Sequence, residues 1–122
     1  MSALALNETP PRTLASGDAA IDLDHLSRMT LGDLSLEREV LALFSRQAEI
    51  LLERMPATDL GLAAASAHTM KRSARSIGAW RVADAAEAVE QAGASEIAAA
   101  IAALGVAVQD ARAAAACRLR AH

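Results

Sequence analysis

Aromatic side chains are almost missing: one tryptophan, one phenylalanine and no tyrosine in 122 residues. A core built without them must come from Leu, Ile, Val, Met and Ala, and small side chains of that kind let helices approach closely. Strand formers are scarce and no segment alternates with period two, which disfavours a sheet. The one cysteine, Cys117, excludes an intrachain disulfide and fits a reducing cytoplasm. The opening residues, MSALALNETPPRTLASGD, have neither a basic n-region nor a sustained apolar stretch, so no signal peptide is expected. No apolar run reaches membrane-spanning length without a break; Gln109, Asp110 and Arg112 interrupt the alanine-rich tail, so no membrane partner is expected. A net charge of −3 argues against general nucleic-acid binding, which needs a basic footprint. There is no Walker-type or other glycine-rich nucleotide loop, and no room for an ATP-binding domain.

What is present is a 53% hydrophobic chain with helical periodicity. Residues 1–19 read as a flexible leader broken by Pro10-Pro11 and Ser16-Gly17, and residues 20–122 as one helical domain. A short helix carries Leu26 and Met29 and can be capped by Asp22 or Asp24. A second helix, about 34–55, starts at Asp33 or Ser35 and stops before Pro56. Leu41, Phe44, Ala48, Leu51 and Met55 form its seam, widened by Leu36, Val40 and Leu43, while Glu37, Glu49 and other charged residues supply its polar surface. A third runs from Asp59 to Gly78, with Ala63, Ala67, Met70, Ala74 and Ile77 inward; Gly78 is a C-terminal glycine. A fourth, Trp80 to Ala92, shows its inner side less clearly, at Ala83, Ala86, Val89 or Glu90, and Gly93. The fifth begins near Ser95 with Glu96 in its first turn, carries Ile97, Ile101, Leu104 and Val108, and runs to about Arg120. Short connections make consecutive helices antiparallel. The expected fold is all-α: an up-and-down four-helix bundle with a short additional N-terminal helix.

The third helix also has an outer stripe, His68, Lys71, Arg72 and Arg75, spaced so that the side chains are neighbours. His68 has no metal-ligand partners: the other histidines, His25 and His122, are far away in sequence, and no Cys/His/carboxylate set surrounds it. A nucleophilic triad would need a cleft that a slender alanine-rich bundle does not offer. Phosphoryl acceptance fits better. Neutral imidazole is a good nitrogen nucleophile near pH 7, its ordinary pKa being about 6.5. Lys71, one turn on, and Arg75, two turns on, can lie beside the added negative charge.

The stretch AHTMKRSARSIGAWRVADAAEAVE resembles the principal helix of histidine-containing phosphotransfer (HPt) domains. Those domains place a lysine three positions after the histidine, usually a glycine next, and a second glycine ten positions after the histidine. His68, Lys71 and Gly78 match; the first glycine is Arg72 here. IDLDHLSRMTLGDLSLEREVLALF is also similar to the family's opening helices, so the likeness spans about residues 20–110. The resemblance implies a phosphorelay carrier of two-component signalling rather than an enzyme with its own ATP-dependent kinase activity. His68 takes a phosphoryl group from a receiver-domain aspartate and passes it to another receiver, with Lys71 stabilising the phosphate. The partners it implies are response-regulator receiver domains and a hybrid histidine kinase, and the Mg2+ belongs to the receiver; the chain itself has no cofactor or metal. Arg72, Arg75 and Gln47 are candidates for the docking face. A polar residue of the following helix, Glu90 or Gln91, would orient the imidazole, and a carboxylate at Glu90 would raise its basicity. Arg72 fills space that glycine leaves open, or pairs with phosphate or receiver acids. The alternatives are an HPt-like adaptor that binds a receiver or kinase without transfer, with Arg72 as the obstruction, and a structural bundle that self-associates. A cytoplasmic, bacterial monomer is expected.

Overall fold

Three aspartates set the beginnings of the first three helices in the computed structural model, which describes residues 19–121. The helices are α1 (Leu23–Met29), α2 (Leu34–Glu53), α3 (Leu60–Ile77), α4 (Trp80–Gln91) and α5 (Ile97–Ala121). Asp22 accepts a hydrogen bond from the His25 amide, Asp33 from that of Leu36 and Asp59 from that of Leu62, at 3.0–3.1 Å. Each satisfies one of the orphan amides of a first turn. Of the paired alternatives, Asp22 and Asp33 are the caps. Glu96 lies just before α5 rather than in its first turn, and its carboxylate accepts from the Gly93 amide at 2.9 Å. Most of the leader 1–19 falls outside the described residues, as does His122.

The described residues contain five helices and no strand, an all-α chain. Helices α2 to α5 close a ring, each packing on its neighbours in sequence and α5 returning to α2, while α1 lies against α3. The antiparallel sense shows in the cross-links: Arg118, near the end of α5, meets Glu37, near the start of α2. The α3 seam is buried throughout, with Ala63, Ala67, Met70 and Ala74 fully inaccessible. Leu41, Phe44, Ala48, Val82, Ala86, Val89, Leu104 and Val108 face it from the other helices, and Ala111 and Ala115 continue the α5 side. Val82 resolves the inner face of α4 that periodicity left indistinct.

Two expectations for α2 fail. Leu36 and Leu43 are exposed rather than part of the core. The seven-residue α1 is too short to cover that flank, so both side chains line an apolar groove with Met29 and Val40. Glu37, expected on the surface, is buried because the last turns of α5 lie over it, and Arg118 Nε donates to its carboxylate at 2.7 Å. Helix α5 is long and apolar enough to cross a membrane by length and composition. Much of that hydropathy is alanine, and the helix is tied to α2 by Arg112–Glu49 and Arg118–Glu37.

The α3–α4 turn fixes the geometry around the site. Gly78 adopts a left-handed φ of 83° and the Ala79 amide reaches back to the Ala74 carbonyl at 2.9 Å, a Schellman-type ending. The Gly78 carbonyl accepts from the Asp22 amide at 2.9 Å. A Cβ on Gly78 would stand 2.9 Å from the Asp22 carbonyl oxygen, so the position requires glycine on two independent grounds.

Candidate functional site

His68 lies midway along α3 on the side away from the seam, with 54% of its side chain exposed. The two-residue turn at Gly78-Ala79 sends α4 back along α3 and brings Glu90 opposite His68. Imidazole Nδ1 lies 2.8 Å from Glu90 Oε2. Lys71 Nζ lies 2.6 Å from the other oxygen, Glu90 Oε1, as an ion pair. One carboxylate thus bridges two residues a helical turn apart. Burial pushes the Glu90 carboxyl up, but the contacts with Lys71 and His68 outweigh it and hold the group below the usual carboxylate range. Glu90 is therefore ionised at neutral pH and can only accept. That assigns the proton to His68 Nδ1 and leaves Nε2, in the neutral ring, with a free lone pair.

The basic stripe is divided by helix geometry. Relative to His68, Lys71 sits about 60° to one side and Arg72 about 40° to the other, since each residue advances about 100°. Lys71 is only 14% exposed and is taken up by Glu90, so it is not a free cation presented to solvent as the spacing suggested. Arg75 also turns to α4, where Nη2 meets Glu87 Oε1 at 3.3 Å. Arg72 goes the other way. It lines a shallow, open, mostly polar depression with His68, Thr69, Ser73 and Ser76, and makes no ion pair among the described residues.

The remaining candidates separate clearly. Glu90, not Gln91, contacts the imidazole; Gln91 is exposed and its side-chain amide donates to Glu87 at 3.4 Å. Gln47 Oε1 accepts from the Ser73 hydroxyl at 2.7 Å, which places Gln47 between the depression and the apolar groove of α1, α2 and α3. Thr69, Ser73 and Ser76 carry no motif that singles them out, although Arg72 and Ser76 follow His68 at spacings of four and eight, one row along a helix. Among the described residues no group of three or more His, Cys, Asp and Glu side chains could hold a metal.

His25 and Trp80 belong to a small cluster at the end of the bundle. Their rings meet edge to face at 4.9 Å, and Trp80 Nε1 donates to Asp22 Oδ2 at 3.0 Å. The Trp80 bond and the His25 amide bond hold the Asp22 carboxyl below its ordinary range.

A helical bundle that presents one carboxylate-anchored histidine on an outer face is the form of a phosphohistidine carrier. Comparison with known proteins agrees: the family model described as Hpt domain matches residues 39–118, and the chain belongs to that family. It is also similar to the solved structure of the histidine phosphotransferase ShpA from Caulobacter crescentus. That likeness has 28% identity and a TM-score of 0.60, and covers 84% of this chain and 98% of ShpA. No match was found among the curated proteins. The family role is that of a phosphotransfer carrier in phosphorelays rather than a kinase.

Proposed function

We propose that His68 is the phosphoacceptor of this carrier, receiving its phosphoryl group on Nε2 from a receiver-domain aspartate and handing it to a second receiver. The observation that carries this reading is the exposed ring with Nδ1 held by Glu90 at 2.8 Å. In the step itself, Nε2 attacks the phosphorus of the aspartyl phosphate. The N–P bond forms, the P–O bond to the aspartate breaks, and the carboxylate leaves with the electron pair. No proton needs to move, because Nδ1 keeps its hydrogen. The ring then carries positive charge, and the adjacent Glu90 carboxylate stabilises it. Lys71 acts here mainly through Glu90, keeping that carboxylate ionised and in place. The family's Mg2+ belongs to the receiver, which supplies most of the catalytic apparatus. Arg72, Gln47 and the apolar groove beside them form the docking face, and Gly78 sets the α3–α4 geometry.

Incubation with a phosphorylated receiver domain, followed by detection of acid-labile label, tests the reading. Label should pass to the wild type and be absent from His68→Gln. Label that persists in His68→Gln would contradict it, and tight receiver binding without transfer would favour an adaptor.

A further inference from the structure

The geometry points to Arg72, rather than Lys71, as the residue that binds the phosphoryl group on His68. This deepens the proposed function and rests on His68 being the acceptor. Three basic side chains surround His68 on α3, and two are already committed. Lys71 is 2.6 Å from Glu90 and mostly buried, and Arg75 is paired with Glu87. Arg72 is exposed, and of the three it alone lacks a carboxylate partner among the described residues and shares a depression with His68. Glu90 occupies the Nδ1 side of the ring, so a group on Nε2 emerges on the side away from that carboxylate.

Within the depression, Arg72 is the lining side chain equipped to hold an anion. The hydroxyls there are turned to internal acceptors: Thr69 donates to the Ala65 carbonyl, Ser73 to Gln47 and Ser76 to the Ser73 carbonyl. They bring no charge of their own, which leaves the guanidinium as the only charged partner there for phosphoryl oxygens. A guanidinium can present two parallel N–H donors to two of those oxygens. The arginine at the family's glycine position thus acts as a phosphate ligand transferred by one residue along the helix, and not as a plug.

Phosphoramidate tests this on the full chain without a protein partner. Nε2 displaces ammonia from phosphorus, the new N–P bond forming as the old one breaks and ammonia taking up a solvent proton. The readout is the 31P resonance of the phosphohistidine, titrated for its last ionisation in wild type, Arg72→Gln, Arg72→Lys and Lys71→Gln. Gln keeps the helix preference of the arginine and a polar side chain, so helix stability is little changed when the charge is removed. With Arg72 as ligand, the midpoint rises by roughly half a pH unit in Arg72→Gln, the scale of a partly solvated charge pair, while Arg72→Lys stays near wild type and Lys71→Gln moves less than Arg72→Gln. An unchanged midpoint in Arg72→Gln, or a larger move in Lys71→Gln, overturns the assignment and leaves the acceptor reading standing. A phosphohistidine signal undiminished in His68→Gln, or none in wild type, overturns the acceptor reading and this inference with it.

Discussion

The two described histidines stand in opposite situations. His68 is exposed, and its Nδ1 is fixed by a carboxylate. His25 is half-buried against the edge of Trp80, and its Nε2 is buried without a hydrogen-bond partner. The proposed phosphoryl transfer needs a lone pair that a second protein can approach in line, and of these two rings the exposed His68 is the one open to such an approach. The difference lies in what surrounds each ring. Around His68, α3 and α4 supply charged groups at the rim of the bundle. Around His25, Gly78 lets the N-terminal segment come so close that the ring becomes packing material.

The largest expected effect sharpens this contrast. His68→Gln should abolish label transfer from a phosphorylated receiver, whereas His25→Gln, which removes only a packing contact, should keep most of the wild-type rate. Equal loss in both variants would erase the distinction.

The His25 side is broken most directly through Gly78. Alanine there meets both a left-handed backbone and the Asp22 carbonyl oxygen. Gly78→Ala should lower unfolding stability by about 1–3 kcal/mol, read as a fall in the denaturant midpoint. The His68 side is broken through Glu90. Glu90→Gln retains an oxygen for Nδ1–H but loses the charge that balances the phosphorylated ring, and should slow transfer roughly three- to tenfold, measured by rapid-quench kinetics.

Acid should act on both sides alike. Asp22 and Glu90 each have a folded pKa held below the ordinary carboxylate value. The stability they contribute is therefore fully present above the unfolded value, near 4, and is lost as pH falls through the depressed folded values. Urea midpoints at pH 7 should separate wild type from Asp22→Asn and Glu90→Gln, and that separation should shrink at pH 3. The smallest effect belongs to Arg75→Ala. Its pair with Glu87 is open to solvent, and the change should cost no more than about 0.5 kcal/mol in chemical denaturation.

Much of the fold was legible because helical spacing is a strong local signal. The α3 seam, Ala63 to Ile77, is buried residue for residue, and Gly78 ends the helix as its position indicated. Leu36 and Leu43 continued the same pattern on α2 and yet stay exposed, since periodicity locates a face but not what covers it. Glu37 was misread for the same reason: the burying element is α5, 81 positions away at Arg118. At the site, spacing put His68, Lys71, Arg72 and Arg75 on one stripe. Only the position of α4 could show that Lys71 and Arg75 turn towards Glu90 and Glu87 while Arg72 does not. The choice between Glu90 and Gln91 depended on a rotation of about 100° on α4, and a helix whose inner face is mostly alanine gives little sequence signal for its rotation.

In the proposed mechanism His68 uses Nε2 while Glu90 holds Nδ1–H. Its most direct test is 15N–31P correlation on the phosphorylated, 15N-histidine-labelled protein. Phosphorus coupled to Nε2 of His68, with a proton retained on Nδ1, is the expected result; phosphorus on Nδ1, or on His25, would contradict it.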